Sequence, residues 1–569
     1  MKMIFSLLLT ALMFVSWVKP IFAIVDPLAV PNNKFGIHLI QGTVDESSPA
    51  AQLVNTNGDW GYVTVLIESK DRKEDKWNEF FNDLRRRHLI PIVRIATQPE
   101  GNFWKRPYDG EEQAWADFLD KLNWPTKNRY VTIYNEPNHG HEWAGVADPK
   151  TYAENLDKTI TALKNKSPDF FVMNAGFDAS TPQQPPLYLE QLYFMREMEK
   201  AVPGIFKKLD GWASHSYPNP GFIGSPQGTG KGSVRTYLWE QEVLKNEFGV
   251  TKRLPIFITE TGWKHAEGMI PNSSLPSAQT VSEYYEYAFS NVWNQSNIVA
   301  ITPFLLDYQE APFDHFSFKK LNSEKSESSY YPQYEILKNI NKTKGQPTQE
   351  ATATLIKGEV FKTLVAGEVY QISLTFKNTG QSIWNDVEKL ELVPIQGGNN
   401  LGIETLEIPA GHKVEPGQEY TFTFKIKAPQ QGNFKTVLNL YQGKKAFDNP
   451  PFEFESEVKS PVVILIRSSL KWKNNSSGDY TLSVSGAAGK SSQNITLNEK
   501  GVSSEIEARY LLPDYDFDFT LSKPFYKEKT IRQRVQPGIN VLDFGTLEPG
   551  ILSTLLKPKE LWQLLPFSN

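Results

Sequence analysis

From residue 33 to residue 343 the chain alternates between two hydrophobic patterns. The first is a short, nearly continuous apolar run: KFGIHL (34–39), YVTVLIE (62–68), IPIVRIAT (90–97), YVTIYNE (130–136), FFVMNAGFD (170–178), LDGWASHSY (209–217), LPIFITE (254–260) and IVAITPFLLD (298–307). Runs of this length and composition predict parallel strands buried on both faces. The second pattern is amphipathic with helical spacing. WNEFFNDLRRRH (77–88) places Trp77, Phe80, Phe81 and Leu84 on one face, and EQAWADFLDKL (112–122) and TYAENLDKTITALKN (151–165) behave alike. Asp148 and Pro149 supply a cap and a first-turn proline for the last of these. A strand followed by a helix eight times over predicts an α/β fold, a (β/α)8 TIM barrel with enlarged loops. No Gly-rich phosphate loop follows the first strand, which argues against an open doubly wound sheet.

The pattern changes after the polar, turn-rich stretch NKTKGQPTQE, and residues 344–350 are expected to be a linker. EVYQISLTFKNTG, QEYTFTFKIKAP and FKTVLNLYQG alternate apolar and polar positions, so 351–458 predicts an all-β sandwich of Ig-like type with Trp384 in its core. YTLSVSG, SEIEARYLL, FDFTLSKPFY and INVLDFGTLEPG predict a second β-sandwich over 460–557, followed by a tail, 558–569. The spaced aspartates of PDYDFDF (513–519) lack the Gly and terminal Glu of a calcium loop and fit strand alternation better.

At the other end, Lys2 precedes an apolar run from Ile4 to Val18, then Pro20 and Ala23. Residues 1–23 therefore read as a signal peptide, with an uncleaved anchor as the competing reading. No later segment is apolar enough to span a bilayer. Cysteine is absent, which suits a bacterial exported protein, secreted or at the cell surface, whose domains hold by packing. It also removes thiolate nucleophiles and thiolate metal sites. The formal net charge of −5 gives no electrostatic reason to expect nucleic acid as a partner. Aromatic residues make up 12% of the chain, and rings of this kind stack on sugars as well as filling cores.

In a barrel of this type function sits where the strands end. The residues there are His38, Glu68, Arg94 with Thr97, Asn135 with Glu136, Asn174 with Asp178, His215 with Tyr217, Glu260 and Asp307. Carboxylates, an arginine and histidines converging on one mouth are costly to desolvate unless they are paired or used. Glu136 closes strand four and Glu260 closes strand seven. Two such carboxylates are what glycoside hydrolysis needs, one to protonate the leaving oxygen and one to attack the anomeric carbon or activate water. His139, His141 and Glu142 lack helical zinc-binding spacing and read as loop residues on the substrate side. No metal and no cofactor is expected.

The N-E-P closing strand four, H-x-Y closing strand six and T-E-T-G-W closing strand seven resemble clan A of the glycoside hydrolases, retaining barrel enzymes such as families 5 and 39. The resemblance covers roughly 33–343. It implies that Glu136 is the acid/base and Glu260 the nucleophile, that Asn135 grips a sugar hydroxyl, and that Tyr217 and His215 line the nucleophile's wall. His38, Arg94, Trp104, Trp143 and Trp263 complete the expected carbohydrate contacts. Two departures stand out. Many clan members end strand two in an arginine, where this chain has Glu68, and many offer a tryptophan on strand eight, where it has Phe304. They motivate the competing reading of a non-catalytic carbohydrate-binding or adhesion protein, and a transglycosylase using the same carboxylates is a third. The β-sandwich domains are expected to act as spacers or attachments, with contact to cell-surface glycan as a further role.

Overall fold

The computed structural model describes residues 24–321, 329–486 and 489–550. The proposed signal peptide and the C-terminal tail lie outside the described residues. The chain divides between Glu350 and Ala351 into two units.

The first unit runs β1 (Gly36–Leu39), α1 (Val44–Asn55), β2 (Gly61–Glu68), α2 (Glu74–Arg86), β3 (Leu89–Ala96), α3 (Glu111–Asp120), β4 (Arg129–Ile133), α4 (Pro149–Lys166), β5 (Phe170–Met173), α5 (Gln191–Ala201), β6 (Trp212–His215), α6 (Thr236–Asn246), β7 (Ile256–Glu260), α7 (Ala278–Tyr287), β8 (Ile298–Ile301) and α8 (Pro332–Asn339). Strands β1 to β5 pair in order as one parallel sheet, and β6 to β8 as another. Parallel bridges close both seams, Phe35 with Ile301 between the first and last strands and Asp178 with His215 between the fifth and sixth. The result is a closed ring of parallel strands, each followed by a helix.

Side-chain alternation builds two cores. Along β2, Val63, Val65 and Ile67 face the helices, while Tyr62 points into the barrel with Ile90, Ile92, Tyr130, Phe171 and Phe257. The helices bury the faces their periodicity predicts. Trp77, Phe80, Phe81 and Leu84 of α2 are all buried, and full burial of each such side chain is worth roughly 1.5–3 kcal/mol. Helix α4 begins as its sequence suggests. The Asp148 side chain accepts the Thr151 N–H at 3.2 Å, and Pro149 occupies the first turn, where its missing N–H costs nothing.

In the second unit, Ala353–Glu359, Val369–Asn378 and Glu419–Lys427 form one antiparallel sheet, and a second sheet is built around Leu390–Gln396, Gly432–Gln442 and Phe452–Lys459. Both contribute to a core that includes Trp384, Phe376, Phe422 and Leu438. Farther along, Val462–Leu470 lies between Ile506–Ala508 and Gly538–Leu547, and a four-stranded sheet runs Gly489–Leu497, Gly478–Gly486, Asp516–Ser522, Lys529–Arg534. These share a separate core of Ile464, Leu482, Phe519 and Phe544. Of the spaced aspartates of PDYDFDF, Asp516 and Asp518 fall on an ordinary strand, Asp516–Ser522, and Asp514 just before it pairs with Lys459. Among the described residues no helix is long and apolar enough to cross a membrane.

Candidate active site

Glu136 and Glu260 meet at the mouth of the barrel, and in both cases local backbone irregularity aims the side chain. Strict alternation along β7 puts Ile256 and Ile258 on the helix side and Phe257 in the barrel, which would turn residue 260 outward. The pairing with β6 slips by one residue: Ser214 lies opposite Ile258, but His215 lies opposite Glu260. Thr259 is the extra residue, its carbonyl held by the Thr302 hydroxyl at 2.8 Å. This bulge rotates Glu260 into the barrel beside His215, the re-aiming role that bulges serve next to active sites. After β4 the backbone turns left-handed at Tyr134 (φ 69°) and again at Glu136 (φ 29°). Tyr134 thereby stays in the outer core, and Asn135 and Glu136 are freed to face the cleft. Non-glycine residues in this region cost roughly 1–2 kcal/mol each, so the surrounding structure must hold them there. One such tie is the Glu136 N–H donated to the Gly176 carbonyl at 3.1 Å. Gly176 itself lies under His215, where an added Cβ would fall 2.0 Å from the imidazole Cδ2.

The Glu260 carboxylate is 7% exposed and densely partnered. Arg94 Nη1 donates to its Oε1 at 2.5 Å, and the Tyr217 hydroxyl donates to its Oε2 at 3.1 Å. His215 Nδ1 lies 3.7 Å from Oε2 and His38 Nε2 3.7 Å from Oε1. Burial alone would raise the Glu260 carboxyl, but His215, Arg94, His38 and the Tyr217 hydroxyl outweigh it, leaving the group below the ordinary glutamate value and ionised at neutral pH. Arg94 stands on β3, opposite Thr132, and also donates to the Asn135 amide oxygen at 2.8 Å. The absence of an arginine at the end of β2 therefore does not leave Glu260 unpaired.

His215 Nδ1 donates to Glu136 Oε1 at 2.8 Å. Burial lowers the His215 pKa, yet the two carboxylates overcome this and raise it. One ligand atom each from Glu136, His215 and Glu260 lie within 4.8 Å of one another. Three donors this close are within reach of a common cation. The Arg94 guanidinium already supplies the positive charge against Glu260, so the group is built as an ion-pair network rather than a cation cage.

Several expected carbohydrate contacts fall elsewhere. Trp143 is 1% exposed; its indole N–H donates to Thr151 Oγ1 and its ring packs on Tyr134 and Tyr152. Trp263 is also 1% exposed, bonded to the Gly224 carbonyl and packed among Tyr284, Tyr285 and Trp293. Both belong to the outer core, Trp143 against Tyr152 of α4 and Trp263 against Tyr284 and Tyr285 of α7. Truncating Trp263 to alanine is expected to cost about 3–5 kcal/mol of stability, read by chemical denaturation. His38 is wholly buried beneath Glu260, edge-on to Phe304 at 5.2 Å, and so touches the carboxylate rather than a sugar. Burial and the neighbouring Arg94 depress its pKa to about 3, which keeps it neutral.

Trp104 remains half-buried on a small hairpin (Pro99–Glu100 with Phe103–Trp104), where its carbonyl takes the Ala144 N–H from the loop after β4. On that loop His139 is not a free surface group: its Nε2 bonds Asp178 Oδ2 at 2.8 Å and Thr181 Oγ1 at 2.6 Å. His141 stacks on Phe103 with ring centroids 5.3 Å apart. Sequence reasoning missed Thr259 and Gly176, whose importance lies in register and clearance.

No protein-family model matches the chain, and no curated protein does. Among solved structures it is similar to a family 39 glycoside hydrolase from the gut symbiont Bacteroides cellulosilyticus, at 14% identity over 71% of this chain and 82% of that one, with a TM-score of 0.37. It is similar to a glucosidase from Croceicoccus marinus, at 9% identity over 84% of this chain and 94% of that one, with a TM-score of 0.40. A GH5_18 protein from Streptomyces cattleya in complex with GlcNAc is 13% identical, covering 59% of this chain and 84% of its own, with a TM-score of 0.37.

Proposed function

We propose that the first unit is a retaining glycoside hydrolase that cleaves O-glycosidic bonds of a poly- or oligosaccharide, with Glu260 as nucleophile and Glu136 as acid/base. The observation that carries this reading is the approach of the two carboxylates, with an oxygen of each inside 4.8 Å at one barrel mouth. Carboxyl groups about 5–5.5 Å apart suit a double displacement, whereas inversion needs about 6.5–9.5 Å to seat a water between them.

In the first step the ionised Glu260 attacks the anomeric carbon while the bond to the leaving oxygen breaks and Glu136 gives that oxygen its proton. In the second, Glu136 takes a proton from water, whose oxygen attacks the anomeric carbon and frees Glu260 from its ester. Tyr217 and Arg94 hold Glu260 in place, and Asn135, anchored by Arg94, offers its N–H groups to a sugar hydroxyl. Trp104, on the hairpin at the same mouth, supplies a sugar-stacking face.

The test is to incubate the full chain with a panel of aryl glycosides and polysaccharides and to follow the first-formed sugar by proton NMR. Retained anomeric configuration is expected; an inverted product would overturn the assignment of Glu260. The acid limb of the pH profile reports Glu260, which must be ionised, and its depressed pKa places that limb below the ordinary glutamate range. Replacing Arg94 by methionine removes a cation that favours the ionised form. The Glu260 pKa then rises and the acid limb moves to higher pH, which kcat/KM measured across the acid range will show.

The two sheet pairs of the second unit fit Ig-like β-sandwich domains acting as spacers or attachments for a secreted enzyme. Their internal cores, each shared by two sheets, support this assignment.

A further inference from the structure

Lys264 follows Glu260 closely in the chain, in the loop after β7. Its backbone N–H donates to the Phe222 carbonyl at 3.0 Å, which ties that loop to the one after β6. The half-buried side chain lies over two rings. Its Nζ is 5.0 Å from the centre of Phe222 and 5.6 Å from that of Phe316, a residue of the loop after β8. Both rings pack edge-on against Tyr217, at 4.9 Å and 6.1 Å, and the Tyr217 hydroxyl bonds Glu260. Two ring contacts therefore separate the ammonium from the group that holds Glu260. Phe222 keeps its place with a left-handed backbone (φ 64°), which a bulky residue adopts only where its surroundings impose it. Among the described residues no carboxylate lies within ion-pair distance of Lys264, and no oxygen accepts its side-chain N–H groups. Ring faces attract a cation but take none of its hydrogens. Acidic residues of the same loops are turned elsewhere: Glu267 accepts the Ala278 N–H at 2.9 Å, and Asp314 accepts the Met269 N–H at 2.6 Å.

We propose, building on the hydrolase reading above, that Lys264 is a specificity-determining residue that binds an anionic group of the substrate, a uronate carboxylate or a sulfate ester. The sugar seated at Glu260 or its neighbour carries that group, the distance that the two ring contacts cover. An acidic sugar entering a mouth that holds the Glu260 carboxylate needs a cation to meet it. Arg94 is committed to Glu260 and to the Asn135 oxygen. Lys264 has no such commitment. An ammonium partly withdrawn from water gains most from a charged acceptor. The two ring faces hold it in one place before the ligand arrives, so little freedom is lost on binding.

Lys264→Met tests this, since it keeps an apolar stem over Phe222 and Phe316 and removes the charge. The substrates are the aryl β-glycoside of a glucuronate disaccharide, acidic on both sugars, and its carboxyl-reduced counterpart. For the acidic one, kcat/KM is expected to fall roughly 10–100-fold in the variant, the scale of one charged hydrogen bond. The neutral one should be unaffected, and Lys264→Arg should keep most of the preference. In parallel, the full chain carrying carbon-13 at lysine Cε is followed by NMR, with the Lys264 signal identified by its absence from Lys264→Met. That signal should move with the methyl glycoside of the acidic disaccharide, or with the reduced form sulfated at its 6-hydroxyls, and not with the reduced form itself. The two anions distinguish carboxylate from sulfate. A signal that follows neither anion, or that follows the neutral disaccharide equally, overturns the proposal, as does an acidic preference that survives in Lys264→Met. The NMR titration needs no turnover. It therefore decides the role of Lys264 even if no glycoside is cleaved, an outcome that would count against the hydrolase reading alone.

Discussion

Glu260→Gln is expected to reduce turnover by on the order of 10⁵-fold, the scale of loss when a covalent nucleophile is removed. The loss should fall on kcat and kcat/KM together, because glutamine binds a sugar as well as glutamate does but cannot form the ester. The fold should survive. The substitution replaces a buried carboxylate with a neutral amide of the same shape, and the Tyr217 hydroxyl keeps an acceptor. Its cost comes from Arg94, which loses its charged partner at 2.5 Å. Unpairing a buried charge costs roughly 3–5 kcal/mol at worst, and Arg94 retains the Asn135 oxygen at 2.8 Å. Circular dichroism and thermal unfolding of the variant, set beside its activity, separate the two effects. A variant that turns over at the wild-type rate would remove Glu260 from the chemistry.

Glu136→Ala should behave differently, and the contrast is diagnostic. General acid–base assistance is worth roughly 10²–10⁴-fold. The loss should depend on the leaving group, being large where the departing oxygen needs a proton and small for an activated phenol. With such a phenol the first step still runs and the second, which needs a base for water, becomes limiting. An added small anion such as azide needs no base. It should restore the rate and give a glycosyl azide of retained configuration, identifiable by NMR. Failure of azide to accelerate release under these conditions would argue that Glu136 is not the base. The substitution also removes the acceptor of the His215 Nδ1–H, found at 2.8 Å. The imidazole should then lose part of the field that raises its pKa.

The legibility of this protein in its sequence follows the range of the interaction concerned. The eight strand runs of the first unit could be read because a strand buried on both faces must be apolar, whatever it packs against. Helices α2 and α4 could be read because their buried faces repeat with the helix period and because Asp148 with Pro149 marks a start locally. Glu136 and Glu260 were legible as strand-end carboxylates, since a barrel gives strand ends a common destination. The tryptophans were misjudged for a related reason. Trp143 and Trp263 lie on the loops that follow strands four and seven, but an indole has so much apolar surface that it goes to the core whenever the loop allows. His139 reads from sequence only as a substrate-side loop residue because Asp178 and Thr181, its partners, come from another loop.

Taken alone, the sequence determined the periodicities, and with them the strands, the helices and the two carboxylates at the mouth, because each depends on residues close along the chain. Only the tertiary structure decided which way those carboxylates face. Counting by twos along β7 sends Glu260 to the helix side. The slip at Thr259, set by the pairing of β7 with β6, returns it to the barrel. Arg94 in place of a strand-two arginine and Gly176 clearing room for His215 are decisions of the same kind. Each is a contact between segments whose spacing in the chain carries no signal, since a strand's register is fixed by its neighbour and not by its own residues.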